Sequence, residues 1–341
     1  MHIPVFFHEE QLNHKPLFEW AFGEKIKHPE TTNRAESILK EIKAQPERFD
    51  LQPPTRFPLA AINDVHNKRL VQAIQSAHAL PIDKTFYPSV FPYHRDKSRL
   101  DPTNINHAGA FCFDSGTPLN STTYAAAAWS AACSFEAAKL VQENKAKVAY
   151  ALCRPPGHHA SRDLFGGYCY FNNAAIAARR LKRAYPRVAV IDIDFHHGNG
   201  TQVLFDRDST VLVVNLHGDP NNFYPYLTGY ELEVGSGAGK GFNINIPLQG
   251  GIDGQSYLQA FSERAIEAIK KFDPMALVIS AGFDAYVADP VGSFCLETKD
   301  FGLIGEHIAG LKLPTVIVQE GGYEEISLGR NVVTFLEPFS N

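Results

Sequence analysis

The stretch Arg187-Val-Ala-Val-Ile-Asp192-Ile-Asp194-Phe-His196-His197-Gly-Asn199-Gly200 is an apolar run that ends in alternating carboxylates and imidazoles. Side chains of a strand alternate with period two, so Asp192, Asp194 and His196 are predicted to share one face. Buried carboxylates are costly unless they are paired or bind a cation. A strand end that only turns polar at the surface rarely carries so dense a set. The stretch therefore predicts a buried strand that ends at a metal site.

Working outward, strand-like runs alternate with helix-like segments. The predicted strands are 147–153, 187–193, 210–216, 242–248, 275–280 and 314–318, and the predicted helices include 122–143, 172–184, 254–271 and 298–310. The strands are nearly continuous apolar runs rich in β-branched residues, which is typical of a parallel sheet covered on both faces. The alternation predicts an α/β, doubly wound fold.

Composition narrows the class of protein. The 341 residues are 44% hydrophobic and 20% charged, as expected for a globular protein. The net charge of −5 argues against a nucleic-acid partner and mildly favours cationic ligands. Five cysteines without C-x-x-C spacing predict free thiols in a reducing compartment. The N-terminal stretch does not resemble a signal peptide, and no apolar run is long enough to span a membrane, so we expect a cytoplasmic protein.

One long segment breaks the alternation. Residues 81–121 are rich in Pro, Asn, His and aromatic side chains and show no clear period. Segments of this length without regular structure are usually functional, so 81–121 is predicted to shape a ligand entrance or an oligomer contact. An ordinary surface insertion is an equally good interpretation.

Polar clusters directly follow four of the predicted strands. They are Arg154-Pro-Pro-Gly-His158-His159, Asp194-Phe-His196-His197, Ala281-Gly-Phe-Asp284 and Gln319-Glu-Gly-Gly-Tyr323. Ligands of open α/β sheets bind beyond the carboxyl ends of the strands, so these distant segments are predicted to meet in one crevice.

The residue types in this crevice indicate metal-assisted hydrolysis. Asp194, His196 and Asp284 would give three ligands with an open fourth position, the pattern of catalytic zinc, although iron or cobalt would also suit them. His158 and His159 would provide acid–base chemistry. Tyr323 could donate a hydrogen bond to a developing oxyanion. Taken singly, the histidine pair could be a polar turn and Tyr323 a buried core tyrosine.

The four motifs R-P-P-G-H-H-A, D-I-D-F-H-H-G-N-G-T-Q, A-G-F-D and E-G-G-Y resemble the motif set of the histone deacetylase superfamily. Within it, the chain most resembles the bacterial acetylpolyamine amidohydrolases, over nearly its whole length. The resemblance implies an arginase–deacetylase α/β fold with a mainly parallel eight-stranded sheet and helices on both faces. It also implies a single deacetylase domain over 1–341, in which 81–121 closes over the site and builds a homodimer.

The resemblance also implies roles for the motif residues. Asp194, His196 and Asp284 match the zinc ligands, His159 the general base and acid, and His158 the electrostatic histidine. Tyr323 matches the residue that polarises the amide carbonyl, and Asp192 the hydrogen-bond partner of His158. A structural K⁺ or Na⁺ site is implied at Asp192, Asp194, His196, Asn215 and Leu216.

One position beside the histidines departs from part of the family. Asn199 stands where some members carry an aspartate next to His159. A neutral partner should leave His159 less readily protonated, which suits a base near neutral pH.

The same resemblance suggests how a substrate would bind. Tyr168 and Tyr224 match the aromatic walls of the family's acyl-amine tunnel, with Gly167 beside them, and aromatic walls favour a cationic amine. Glu19 is a candidate for binding the free ammonium, although a solvated surface charge is the plainer interpretation. Some polyamine deacetylases carry glutamate after D-P, whereas Val291 follows Asp289-Pro290 here. Short acetylated diamines are therefore the favoured substrates.

The expected function is a zinc-dependent amidohydrolase that removes acetyl from acetylated diamines or polyamines of the acetylputrescine or acetylcadaverine type. A protein acetyl-lysine deacetylase would share the chemistry but need an open tunnel mouth. An arginase-like ureohydrolase would need two manganese ions and more aspartate ligands. A non-enzymatic acetyl-amine binding module would tolerate loss of Tyr323 or a histidine, yet all are present.

Overall fold

A sheet of eight parallel strands forms the centre of the computed structural model, which describes residues 2–21, 23–55, 58–91 and 100–340. The strands of the described residues are β1 (Ile3–Phe6), β2 (Phe18–Ala21), β3 (Glu24–Lys27), β4 (Phe49–Gln52), β5 (Thr85–Phe86), β6 (Leu119–Asn120), β7 (Val148–Ala151), β8 (Val188–Asp192), β9 (Val211–Gly218), β10 (Asn243–Leu248), β11 (Ala276–Ala281) and β12 (Thr315–Gln319). The central sheet has the order β10-β9-β8-β11-β12-β7-β1-β4, and every pairing in it is parallel.

Helices cover both faces of this sheet. They are α1 (Thr32–Lys43), α2 (Leu59–Val65), α3 (Lys68–Gln75), α4 (Thr123–Gln142), α5 (Asn173–Leu181), α6 (Asn199–Phe205), α7 (Gly254–Ala260), α8 (Glu267–Phe272), α9 (Thr298–Ala309) and α10 (Leu328–Leu336), with a π-helical turn, Phe261–Ile266, joining α7 to α8. Within the described residues, no helix combines the length and apolar character that a membrane crossing requires.

Two hydrophobic cores lie on opposite sides of the sheet, because successive strand residues point to opposite faces. On β8, Ile191 belongs to the core beneath α1 and α7 to α10, whereas Val190 belongs to the core beneath α2 to α6. Both residues are fully buried. The continuous apolar runs of the sequence therefore reflect strands buried on both faces, and the predicted α/β fold is confirmed.

The six predicted strands correspond to β7 to β12, while β1 and β4 are additions. Both have only four residues, and β4 (FDLQ) carries the exposed Asp50 at the sheet edge. The partly polar β4 lacks the apolar run that marks the others, whereas β1 (IPVF) is apolar but contains Pro4, which is atypical of a strand interior. The sheet has the eight strands that the family resemblance implies, and it is wholly rather than mainly parallel.

The four strands that precede the polar motifs are neighbours, in the order β8-β11-β12-β7. Their carboxyl ends are level, because Asp192 pairs with Ser280, Ala281 with Gln319, and Val318 with Ala151. This register brings the four following loops to the same edge of the sheet.

Segment 81–121 forms the small β5–β6 pair and a 3-10 helix over Ile105–Phe111, while residues 92–99 lie outside the described part. Two of its hydroxyls bond the β2–β3 hairpin: that of Tyr87 donates to the Phe18 carbonyl over 2.8 Å, and that of Ser115 to the Trp20 carbonyl over 3.1 Å. The segment therefore supports the hairpin that carries Glu19.

Candidate active site

A buried cluster of two carboxylates and one imidazole lies at the carboxyl ends of β8 and β11. His196 Nδ1 is 2.9 Å from Asp284 Oδ2 and 3.3 Å from Asp194 Oδ1. The backbone N–H of Phe195 donates to Asp284 Oδ1 over 2.7 Å, and that of Gly321 to Asp194 Oδ2, also over 2.7 Å. The N–H of His196 also donates to Asp194 Oδ1 over 2.9 Å, so backbone donors fix both carboxylates. The three ligand atoms lie within 4.8 Å of one another.

The electrostatics of this cluster suit a divalent cation. Burial and the nearby charge of Asp194 raise the pKa of Asp284. Burial alone would lower the pKa of His196, but its hydrogen bonds to the two carboxylates raise it to about 10. The raised pKa values of Asp284 and His196 show that the cluster has an excess of negative charge, which protons neutralise. A bound metal ion would neutralise the same charge and displace the protons.

His158 and His159 lie beside the cluster with their ring centroids 4.0 Å apart, yet their environments differ. Burial lowers the pKa of both. For His158 the charges of Asp194 and Asp192 outweigh burial, so its pKa lies well above the usual value. For His159 the neighbouring histidines act in the same direction as burial, so its pKa lies well below. One imidazole is cationic at neutral pH and the other is neutral.

Hydrogen bonds orient both rings. Asp192 Oδ2 is 3.0 Å from His158 Nδ1, and Asn199 Oδ1 is 2.7 Å from His159 Nδ1. Because Asn199 Oδ1 is an acceptor, the neutral His159 carries its proton on Nδ1 and its lone pair on Nε2.

Tyr323 lies on the loop after β12, where its backbone is firmly held. Gly322 has φ +119°, a conformation that L side chains rarely adopt. Asp289 Oδ2 accepts from the N–H of Tyr323 over 2.6 Å, and the Arg34 guanidinium lies 4.7 Å from the ring centroid. Burial raises the pKa of the Tyr323 phenol well above its usual value, so the hydroxyl remains a donor.

A cavity of about 960 Å³ leads from the surface to these groups. His159, His196 and Tyr323 line it, together with all four residues predicted to bind substrate: Glu19, Gly167, Tyr168 and Tyr224. The Tyr168 ring centroid is 5.9 Å from that of Tyr323, and the Tyr224 centroid is 5.2 Å from that of His159. The Tyr168 hydroxyl donates to Glu19 Oε1 over 3.0 Å.

Gly167 is required by close packing as well as by its backbone angle of φ +59°. A Cβ added there would lie 2.2 Å from His159 Cδ2, so a larger residue would push the imidazole from its place. The structure places Asp194, Asp284, His158 and His159 close together: His158 Nε2 is 3.8 Å from Asp194 Oδ1, next to the Asp194–His196–Asp284 cluster.

Two buried side-chain oxygens, from Asp192 and Asn215, lie close to Gly198. Asn215 Oδ1 is buried and has no hydrogen-bond partner among the described residues. It approaches Asp192, since a Cβ added to Gly198 would lie 2.3 Å from Asp192 Oδ2 and 3.0 Å from Asn215 Oδ1. Oxygen donors without protons suit a hard monovalent cation.

Three residues near the site had no signal in the sequence analysis. Asp289 was noted only for the residue that follows its Asp-Pro pair, yet its carboxylate holds the backbone of Tyr323. Arg34 donates to the carbonyls of Gly322 and Glu320, over 2.5 Å in each case. The Asp114 carboxylate accepts hydrogen bonds from the Gly167 N–H and the Tyr224 hydroxyl, which lie on two sides of the cavity.

Comparison with known proteins agrees with the fold and the motifs. A histone deacetylase domain matches residues 28–338. The chain is 38% identical over 339 residues to an acetylpolyamine amidohydrolase of Burkholderia pseudomallei, covering 98% of each chain. It is 39% identical over 316 residues to acetylpolyamine amidohydrolase 2 of Pseudomonas aeruginosa, covering 91% of each.

Solved structures show the same likeness. A crystal structure of acetylpolyamine aminohydrolase from Burkholderia pseudomallei superposes with a TM-score of 0.93 at 38% identity, covering 99% of this chain and 98% of that one. The family resemblance seen in the motifs is thereby confirmed, and the chain belongs to the histone deacetylase family.

Proposed function

We propose that the chain is a zinc-dependent amidohydrolase that removes the acetyl group from acetylated diamines or polyamines, giving acetate and the free amine. The observation that carries this proposal is that one cavity is lined both by His196 of the Asp194–His196–Asp284 cluster and by Glu19. Such a cavity suits a slim chain with an acetamide at one end and an ammonium at the other. The names of the two acetylpolyamine amidohydrolases described above support the same substrate class.

Asp194, His196 and Asp284 would hold the catalytic ion. Zinc suits two carboxylates and one imidazole, and Fe²⁺ or Co²⁺ would suit the same donors. When bound, the metal would supply Lewis-acid polarisation of the acetamide carbonyl and make water more acidic. A structural K⁺ or Na⁺ is proposed at Asp192, Asp194, His196, Asn215 and Leu216, supported by the Asn215 oxygen, for which the described residues offer no hydrogen-bond partner.

The chain's own residues would move the protons. The lone pair on His159 Nε2 would accept a proton from the attacking water and later return it to the leaving amine. The cationic His158 would stabilise the negative charge that develops nearby, and the Tyr323 hydroxyl would donate to the carbonyl oxygen as it becomes an oxyanion. Water adds across the amide, the C–N bond breaks, and the amine leaves with the proton.

Asn199→Asp is expected to move the acidic limb of the pH profile of kcat/KM to higher pH. A carboxylate at 199 would stabilise the protonated imidazole and so raise the pKa of His159, which must be neutral to act as a base. Rates measured between about pH 5 and 9 check this expectation. An acidic limb that stays in place would mean that His159 is not the group titrating there.

Glu19 is proposed to bind the free ammonium of the substrate. Burial raises the pKa of Glu19 to about 7, and its hydrogen bond from Tyr168 acts in the opposite direction. The carboxylate is therefore charged above that pH and loses its charge as the pH falls. Val291, which also lines the cavity, offers only an apolar contact where some relatives have glutamate. Short diamines are therefore the proposed substrates.

Glu19→Gln is expected to raise KM for N-acetylputrescine about 10-fold, as typical for losing a hydrogen bond to a charged group. KM for the neutral N-acetylbutylamine, which lacks the ammonium, should stay unchanged. The wild-type KM for N-acetylputrescine should also rise as pH falls through about 7, the pKa of Glu19, and this rise should be absent in the variant. An equal change for both substrates would exclude ammonium recognition by Glu19.

The proposed function is tested by kcat/KM of the zinc-loaded protein for N-acetylputrescine and N-acetylcadaverine against an acetyl-lysine peptide. A strong preference for the small amines is expected. A preference for the peptide would instead support a protein deacetylase. If the protein binds one zinc ion per chain but hydrolyses neither the small amines nor the peptide, the result would support a non-enzymatic binding module.

We further propose that the protein works in the cytoplasm as a homodimer assembled through 81–121, without nucleic-acid or membrane partners. The exposed Ile82 and Val90 of this segment support an apolar contact between copies, and all five cysteines are free thiols, as a reducing compartment requires. Light scattering of the protein in solution would measure the mass of the particle and so give the number of chains in it.

A further inference from the structure

The Asp114 carboxylate bonds three separate groups beside the cavity. Its Oδ2 accepts from the Tyr224 hydroxyl over 2.7 Å and from the Gly167 N–H over 2.5 Å. Its Oδ1 accepts from the Gly116 N–H over 3.1 Å. Asp114 belongs to segment 81–121, Gly167 to the loop before α5 and Tyr224 to the loop after β9, so one carboxylate joins three loops that are distant in sequence.

Two of these groups belong to the aromatic walls of the cavity. Tyr224 is one wall, and Gly167 directly precedes Tyr168, the other wall. His159 lies between them, with Gly167 packed against its ring and the Tyr224 centroid 5.2 Å away. The distance between the walls therefore depends on the hydrogen bonds to Asp114.

We propose that Asp114 and the Tyr224 hydroxyl form a brace that sets the width of the tunnel and thereby selects slim, unbranched amines. This inference rests on the proposed function in one respect, namely that the amine chain lies in this cavity. Asp114 acts in it as a positioning residue that works through Tyr224 and Gly167.

The chemistry of the pair fits a permanent link. Burial, together with the charge of Asp114, raises the pKa of the Tyr224 phenol well above its usual value, so the hydroxyl stays protonated and keeps donating. The Tyr224 ring is also nearly parallel to that of Phe113, the neighbour of Asp114, at a centroid distance of 6.3 Å. A phenylalanine at 224 could occupy the same space, but it would lose the hydrogen bond to Asp114, which in turn bonds Gly167 of the opposite wall.

The Tyr168 wall is also held by a hydrogen bond to a carboxylate, but to a different one. The tunnel width, assigned to Asp114, and the recognition of substrate charge, assigned to Glu19, can therefore be tested separately. The Tyr168 hydroxyl donates to Glu19 of the β2–β3 hairpin, so each wall tyrosine bonds a carboxylate. Only Asp114 also bonds the other wall, through Gly167. Both carboxylate oxygens of Asp114 accept hydrogen bonds from the protein. In Glu19 the bond from Tyr168 uses Oε1 and leaves Oε2 for a substrate.

The test compares two substrates of equal charge, N-acetylcadaverine and mono-N-acetyl-p-xylylenediamine, whose aromatic ring makes the chain wider. Tyr224→Phe is expected to lower the ratio of kcat/KM for slim over wide substrate at least 10-fold, mainly through KM. Tyr230→Phe, which removes another hydroxyl from the same loop, serves as the matched control and should keep the wild-type ratio. Its hydroxyl bonds the Tyr226 carbonyl over 3.2 Å.

Asp114→Asn and the double variant complete a cycle. If the brace exists, Asp114→Asn lowers the same ratio and the double variant lowers it no further. Equal losses for slim and wide substrates in Asp114→Asn, with Tyr224→Phe silent, would overturn the proposal and indicate a direct contact with the ammonium. Unchanged melting temperatures and zinc contents would show that the variants are folded.

A readout without turnover keeps this inference separate from the proposed function. Linear and aryl hydroxamates that carry a terminal amine chelate the metal, and their Kd values can be measured by calorimetry. The linear-over-aryl affinity ratio should fall in Tyr224→Phe even if the wild type prefers peptide substrates. An unchanged ratio would overturn the brace, whereas peptide preference alone would overturn only the substrate proposal.

Discussion

Asp284→Ala is expected to lower the affinity for zinc by more than about 100-fold, the upper end of the loss seen when only a hydrogen-bond partner of a ligand is removed. Deacetylase activity should fall to background at stoichiometric zinc. The cause is the loss of one of three buried donors, since Asp284 Oδ2 lies 2.9 Å from His196 Nδ1 in the cluster. Metal content per chain after dialysis, measured by mass spectrometry, checks the expectation.

The variant should remain folded, because burial and the charge of Asp194 disfavour the charged form of Asp284 and raise its pKa to about 7. Removing it relieves repulsion as well as breaking its bond from the Phe195 N–H. Asp253→Asn, at the exposed start of α7, is a matched control that should keep full zinc content. Full zinc occupancy in Asp284→Ala would exclude Asp284 as a ligand.

The sequence predicts the central part of the fold because a parallel sheet imposes simple rules. Four polar motifs follow four apolar runs, and the strands that carry them prove to be neighbours with level carboxyl ends. Residues more than a hundred positions apart, such as His158 and Asp284, could therefore be assigned to one site. The period-two alternation of Asp192, Asp194 and His196 placed them at the end of β8.

Other features could not be predicted, because a contact between distant loops leaves no spacing in the sequence. Asp114 reaches Gly167 and Tyr224 only when the segments before α4, before α5 and after β9 have assembled. Arg34 is a helix residue with no motif around it, yet it is buried against the carbonyls before Tyr323. The edge strand β4 has too few apolar residues to be distinguished from a loop.

The selectivity of the cavity belongs to this second group of features. The motifs carry the Asp194–His196–Asp284 cluster and the histidine pair, and the proposed chemistry would be the same for a protein deacetylase and for a deacetylase of small amines. Glu19, Asp114 and Val291 line the cavity from segments outside those motifs. The type of reaction is therefore encoded at the strand ends, whereas the substrate class depends on loops that the sheet does not constrain.

Tyr323→Phe is expected to lower kcat about 10²–10³-fold with little change in KM or zinc content, the loss typical of removing one oxyanion donor. Asp289 holds the backbone and Arg34 lies over the ring, so phenylalanine should keep the same position and lack only the hydroxyl. Tyr257→Phe is the matched control, because its hydroxyl is buried without a hydrogen-bond partner in the described chain and should not affect kcat. Single-turnover rates separate chemistry from product release. A kcat within a few-fold of wild type would mean that the oxyanion is stabilised without this phenol, leaving His158 and the metal to supply the charge.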